Sequence, residues 1–232
     1  MTRGRLVSLA GVDGAGKTTQ ARLLGEWLTG LGFAVAVDAP AGPSFIRTAL
    51  TELAGRAGLA DHHDVLGPEV THVVTAFMRD RDWTERVIPA IVRHDWVVTD
   101  RSAVCHYAAA FAVGAGNEAT LRQVLGRLPV PDLVVYLDVA PERAHRRLVR
   151  RRVGQETPEF LVANEVGYRR LPEFPQFAVV AGEGPVDQVQ QRIRAAVRRR
   201  LMPARRTVPS LRAGPGHPRM PGLLMVDRPS PS

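Results

Sequence analysis

Five short apolar runs punctuate the chain: Leu6–Ala10, Phe33–Val37, Trp96–Thr99, Leu133–Leu137 and Phe177–Val180. Each is four or five residues long and mostly β-branched or aliphatic, the pattern of a buried strand. Between them the apolar positions recur every three or four residues. Leu23, Leu24, Trp27, Leu28 and Leu31 mark the first such stretch, and Gly32 is placed to stop it. The same periodicity predicts helices over 43–57, 68–81, 84–93, 102–113, 117–127, 141–152, 158–171 and 185–201. Strands that are apolar on both faces and alternate with helices predict an α/β fold. The expected form is a three-layer sandwich, a five-stranded parallel sheet covered by helices on both faces. Ligands of such sheets collect at the carboxyl ends of the strands. The polar strand ends here are a glycine-rich loop at 11–18, the turn Asp38-Ala39-Pro40 and the pair Asp100-Arg101, all expected on one edge.

The pattern stops at Pro203. Residues 203–232 hold seven prolines, too many for a helix or a central strand, so a disordered Pro/Arg-rich tail is expected after a single domain over 1–202. The tail carries five arginines and one aspartate, about half of the net charge of +8. What remains suits a domain with polyanionic ligands, and nucleic acid is not an expected partner. The single cysteine excludes an internal disulfide framework and fits a cytoplasmic location. No apolar run approaches the roughly 18 residues of a membrane span. The seven histidines show no metal-ligand spacing.

Lys17 is the only lysine, against 30 arginines. It sits in Gly11-Val12-Asp13-Gly14-Ala15-Gly16-Lys17-Thr18, which satisfies G-x-x-x-x-G-K-[ST] directly after a strand and at the start of a helix. The glycines let backbone N–H groups face phosphates, and the helix N-terminus favours negative charge. A compact ammonium reaches between two phosphates where a forked guanidinium does not fit. The loop therefore points to a nucleoside triphosphate, ATP, with Lys17 on its β and γ phosphates and the Thr18 hydroxyl on Mg²⁺.

From Gly11 to Gln20 the sequence resembles the phosphate loop of bacterial thymidylate kinases. Further blocks follow in that family's order. Phe77-Met78-Arg79-Asp80-Arg81 is similar to its Phe-x-x-Asp-Arg, and Val97-Val98-Thr99-Asp100-Arg101 to the strand leading to Asp-Arg-Tyr. Pro131-Asp132-Leu133, Tyr136-Leu137-Asp138-Val139 and Pro141-Glu142 resemble its fourth strand and turn, and Tyr168 and Leu171 the helix after its lid. The resemblance runs from about residue 5 to 200 and implies a P-loop nucleoside monophosphate kinase, with dTMP as acceptor, acting as a homodimer. It implies that Gly11, Asp13, Gly14, Ala15, Gly16, Lys17, Thr18 and Thr19 hold ATP. Asp13 would also bind the acceptor's 3′-hydroxyl, Arg47 and Arg101 its phosphate, and Phe77 and Arg81 its base. Thr18 and Asp100 would hold Mg²⁺. A lid over about 146–158 would close on the triphosphate, with Arg147 and Arg151 the arginines expected to act. Glu156 would orient one of them.

The chain departs from the family at positions that bear on the acceptor. Ala39 stands where the family has glutamate, Ser102 replaces a tyrosine, and Cys105, Ala109 and Ala110 replace a serine and a tyrosine-glutamine pair. Two further readings therefore stay open. One is a deoxynucleoside or modified-nucleotide kinase, although Ala39 cannot supply the carboxylate that a hydroxyl acceptor needs as general base. The other is a catalytically weak nucleotide-binding regulator that uses its basic tail for docking.

Overall fold

The structure is a computed structural model and describes residues 3–38, 45–151 and 156–202. Among these, five strands form one sheet: β1 (Arg5–Ala10), β2 (Val35–Asp38), β3 (Trp96–Asp100), β4 (Leu133–Asp138) and β5 (Ala178–Ala181). Every pairing is parallel and the spatial order is β2-β3-β1-β4-β5. Helices α1 (Lys17–Gly30), α2 (Phe45–Ala57), α3 (Pro68–Asp82), α4 (Ile88–Arg93) and α5 (Ala103–Ala112) precede α6 (Glu118–Leu125). They are followed by α7 (Pro141–Arg151), α8 (Pro158–Arg170) and α9 (Val186–Leu201). The expected tail over 203–232 and the turn at 39–44 lie outside the described residues, as does part of the expected lid, 152–155.

Alternate residues along each strand face opposite sides. Leu6 and Ala10 of β1, Val97 of β3, and Val134 and Tyr136 of β4 pack with Ala76, Trp83, Cys105, Ala108, Leu121 and Tyr168 on one face. Val7, Leu9, Val98, Val135 and Leu137 pack with Leu24, Leu28, Ile193 and Val197 on the other. The two apolar layers explain why the central strands read as unbroken apolar runs, and they are the expected three-layer sandwich. The edge strand β5 instead alternates buried and exposed residues.

The structure corrects three boundaries. Expected as two helices, 68–93 is one helical run, with Trp83–Val87 as a π turn between α3 and α4. Pro89 has no N–H to return to the turn before it, and Ile88 N–H donates five residues back, to the Trp83 carbonyl. The wider turn keeps Trp83 and Val87 in the core without breaking the helix. β2 begins at Val35 rather than Phe33, because the Ala34 carbonyl accepts from both Asp95 N and Trp96 N and is tied to the turn before β3. β5 begins one residue late, since Phe177 N–H closes a turn onto the Phe174 carbonyl.

The strand order puts both neighbours of β1, β3 and β4, on opposite sides of the strand that feeds the glycine loop. That is the switch point where open parallel sheets leave a crevice at their carboxyl edge. Registers Leu9↔Asp100 and Asp38↔Thr99 bring the ends of β1, β3 and β2 side by side on that edge.

Candidate active site

The loop between β1 and α1 turns through left-handed backbone at Gly14, φ 86°, and Gly16, φ 99°. At Gly14 a Cβ would come within 2.3 Å of the Ala144 carbonyl, so only glycine lets α7 lie this close. Gly16 caps α1, whose first residue is Lys17. The Lys17 side chain is 5% exposed and curls back over the loop. Its ammonium donates to the Gly11 and Val12 carbonyls at 2.9 Å each and lies 3.2 Å from Asp13 Oδ1.

Asp13 is also bound by Arg101, whose Nη2 donates to the same oxygen. Burial opposes ionisation of Asp13, but Arg101 and then Lys17 outweigh it and hold the carboxyl well below the usual carboxylate range. The attraction of Asp13 raises Arg101 in turn, against its own burial. Arg101 has φ 92°, and among the described residues it alone is left-handed without being glycine. That turn at the end of β3 swings its guanidinium toward the glycine loop while its N–H still donates to the Leu9 carbonyl.

Beside this pair the Thr18 hydroxyl donates to Asp100 Oδ2. Asp100 Oδ1 is buried with no hydrogen-bond partner. Arg147 of α7 approaches from the other side: one terminal nitrogen reaches the Gly14 and Ala15 carbonyls at 3.3 Å and the other the Gly182 carbonyl at 3.4 Å. Burial, then the charges of Arg143 and Arg151, lower its ionisation from the usual arginine range. Arg151 is exposed at the end of α7. Thr19 lines a shallow depression with Thr18, Arg22 and Val37.

The expected site residues do not all converge. Gly11, Asp13, Gly14, Ala15, Gly16, Lys17, Thr18, Asp100, Arg101 and Arg147 surround the glycine loop. Phe77 and Arg81 share one face of α3, on the side away from Arg79 and His106. Phe77, 55% exposed, lines a surface groove with Gln123, Val124 and Arg127, and Arg81 is exposed and pairs with Glu85. The cleft receives Arg79 instead, about 200° around the helix from Phe77. Arg79 Nε donates to His106 Nε2 at 3.4 Å, and its charge is felt by Asp38 at the end of β2. Glu156 was expected to orient an α7 arginine; it pairs with Arg47 of α2 at 2.9 Å instead.

Two other findings were not anticipated. Tyr168 is buried, donates to the Gly11 carbonyl at 3.3 Å, and has its phenol pushed well above the usual range by burial and Cys105. Three ligand atoms of Asp61, His62 and His63 also lie within 4.8 Å of one another, against the expectation of no metal-ligand grouping. The Asp61 carboxylate, however, already caps the turn that follows by accepting from His63 N. Among the described residues no helix is long and apolar enough to cross a membrane.

A helix N-terminus with a buried ammonium, and a guanidinium that meets it on Asp13, can neutralise two anionic groups at once, and Asp100 beside them has a carboxylate oxygen free to take a cation. Comparison with known proteins agrees. The family model described as thymidylate kinase matches residues 9–193. A thymidylate kinase of Synechococcus sp. (strain RCC307) is 32% identical over 86% of this chain and 98% of its own length. That of Caldanaerobacter subterraneus subsp. tengcongensis is 29% identical over 88% and 99% respectively. A protein of Pyrococcus abyssi named a probable thymidylate kinase is 29% identical over 86% and 98%. The chain therefore belongs to the thymidylate kinase family.

Proposed function

We propose that this chain is a nucleoside monophosphate kinase that transfers the γ-phosphoryl group of ATP to dTMP, giving ADP and dTDP. The observation that carries the reading is the meeting of Lys17 and Arg101 on one oxygen of Asp13. One cation belongs to the glycine loop and so to the donor, and the other to the end of β3 and so to the acceptor. The acceptor phosphate is already ionised, so its oxygen attacks without a general base. The protein contributes position and charge.

In this reading Lys17 leaves the Gly11 and Val12 carbonyls for the β and γ phosphates of ATP. The loop from Gly11 to Thr19 wraps those phosphates with backbone N–H groups. Arg147 lies against the loop and follows charge as it develops on the transferred group, joined by Arg151 when the lid closes. Arg101 and Arg47 hold the acceptor phosphate, and Asp13 accepts from the acceptor's 3′-hydroxyl. Arg79 takes the role expected of Arg81 at the base. Mg²⁺ fits Thr18 and Asp100: two oxygen ligands stand together and one carboxylate oxygen is buried unpaired. When bound, that ion neutralises charge on the β and γ oxygens. The kinase domain spans 1–202 with a lid at about 146–158, and a cytoplasmic location suits its substrates and its single buried thiol, Cys105.

A second reading has one observation behind it. Asp38 ends β2, pairs with Arg86 at 2.8 Å, and keeps its other oxygen buried without a partner. Burial raises its carboxyl from the usual range, with Arg86 pulling the other way. Such a group suits a general base for a hydroxyl acceptor, so Asp38 offers the carboxylate that Ala39 lacks, and thymidine belongs among the substrates tested. The test is ATP consumption with dTMP, dUMP, dCMP and thymidine, with and without a chelator. Turnover of dTMP above the rest, lost with the chelator, is expected. Turnover of thymidine but not dTMP overturns the first reading in favour of the second.

The homodimer is proposed on the outer face of α3. Val70 and Phe77, 50% and 55% exposed, stand two turns apart on one stripe next to the groove floored by Val124. A second copy would cover them. Phe77→Asp should halve the mass seen by light scattering. A wild-type monomer, or an unchanged mass in the variant, ends this assignment.

A further inference from the structure

Arg79 reaches the cleft from α3 and His106 from the first turn of α5, and they meet through one hydrogen bond, Arg79 Nε to His106 Nε2, at 3.4 Å. This contact does two things. An imidazole that accepts at Nε2 carries its single proton on Nδ1, so the tautomer is set. A guanidinium whose Nε–H is engaged keeps only the fork of its terminal amino groups to offer, and the plane of that fork is fixed. The surroundings keep His106 an acceptor. Burial, then the charges of Arg79, His72 and Arg101, hold its imidazolium well below the usual histidine range. Burial, then the charge of Arg101, lower Arg79 from the usual arginine range, while Asp82 and Asp38 attract it the other way, so the imidazole fixes a guanidinium that feels several competing charges.

We infer that His106 is a positioning residue for the acceptor base: it aims the terminal donors of Arg79 at a base edge bearing a carbonyl oxygen. The substrate class favoured is a 4-oxo pyrimidine nucleotide over its 4-amino counterpart. A carbonyl there accepts from the guanidinium. An amino group in its place sets donor against donor and leaves both without partners in a half-buried cleft, where an unpaired donor is costly. The residues that the family uses at Cys105, Ala109 and Ala110 are absent, so this pair carries more of the selection. The inference rests on the kinase reading, whose acceptor dTMP is itself a 4-oxo pyrimidine nucleotide, and adds the residue that orients the base contact of that same site.

The test compares wild type with His106→Leu, His106→Gln, Arg79→Gln and the double variant His106→Leu/Arg79→Gln, using dTMP and dCMP at saturating ATP. His106→Leu should raise KM for dTMP about tenfold, with kcat and KM for ATP unchanged, and lower the preference for dTMP over dCMP by a similar factor. His106→Gln, whose amide oxygen still accepts from Nε, should retain most of the preference. The double variant should be no worse than Arg79→Gln alone, because His106 acts through Arg79. If His106→Leu does not fold, His106→Asn, whose amide is too short to reach Nε, replaces it. Equal losses on both nucleotides, or additive losses in the double variant, overturn the inference and leave the kinase reading standing. A wild type that phosphorylates no monophosphate removes the kinase reading and the inference together.

Discussion

Lys17→Ala lowers phosphoryl transfer by about a thousandfold or more, at any acceptor concentration. The ammonium is 5% exposed and is the only lysine in the chain, so no other amine can substitute. In the free protein it is held by two carbonyls of its own loop, at 2.9 Å each. In the proposed mechanism those contacts are exchanged for phosphate oxygens when ATP binds, so its benefit falls on the donor and on the transferring group. Lys17→Arg should fail nearly as badly, because a planar fork does not fit between the Gly11 and Val12 carbonyls and a phosphate. Single-turnover rates with saturating ATP and dTMP provide the check. Transfer within tenfold of wild type in Lys17→Ala would remove the glycine loop from the mechanism.

Asp13→Ala affects stability and acceptor use together, and each has its own measurement. Asp13 stands between two cations, one almost fully buried and one about a third exposed. Removing it leaves Lys17 and Arg101 without the carboxylate they share, and only the weaker attraction of Asp100 remains on Arg101. The expected loss is about 2 kcal/mol, reduced from the value for a fully buried pair because Arg101 is partly solvated. The pH dependence has a definite sign. The folded carboxyl ionises below its ordinary value of 3.8. A depressed carboxylate contributes its full stability above the unfolded value and loses it as pH falls through the folded one. Wild type should therefore keep this contribution at neutral pH and lose it only below about pH 4, while Asp13→Ala lacks it throughout. Thermal melts across the acid range measure the difference, and parallel stability profiles would refute the assignment. In kinetics, KM for dTMP should rise more than KM for ATP. Equal rises would argue against a contact between Asp13 and the acceptor sugar.

The parts legible in the sequence are those where chemistry and local geometry coincide. The glycine loop is one, since its eight residues carry both the conformational demand and the charge. Asp100-Arg101 is another: it ends an apolar strand, and parallel strands bring their ends to one edge. Arg79 and His106 were hidden because they are 27 residues apart in the chain and meet only after α3 has chosen which side to bury. The signal for that choice was present in the apolar periodicity, not in the motif. Ala76 and Trp83 lie on the same side of the helix as Arg79 and are in the core, whereas Phe77 is not. The burial pattern, rather than the motif, decides which side of α3 faces the sheet. The π turn at Trp83–Val87 was hidden for another reason. A proline at 89 predicts an interruption, but whether a chain breaks or widens its helix there depends on what Trp83 and Val87 must reach.

Among the described residues other than glycine, Arg101 alone makes a left-handed turn that a glycine would make without strain. At this residue folding comfort and usefulness pull in opposite directions. Selection for a sturdier protein alone would drift toward glycine and erase the charge, so under the proposed mechanism an arginine in that conformation is a compromise struck in favour of the acceptor.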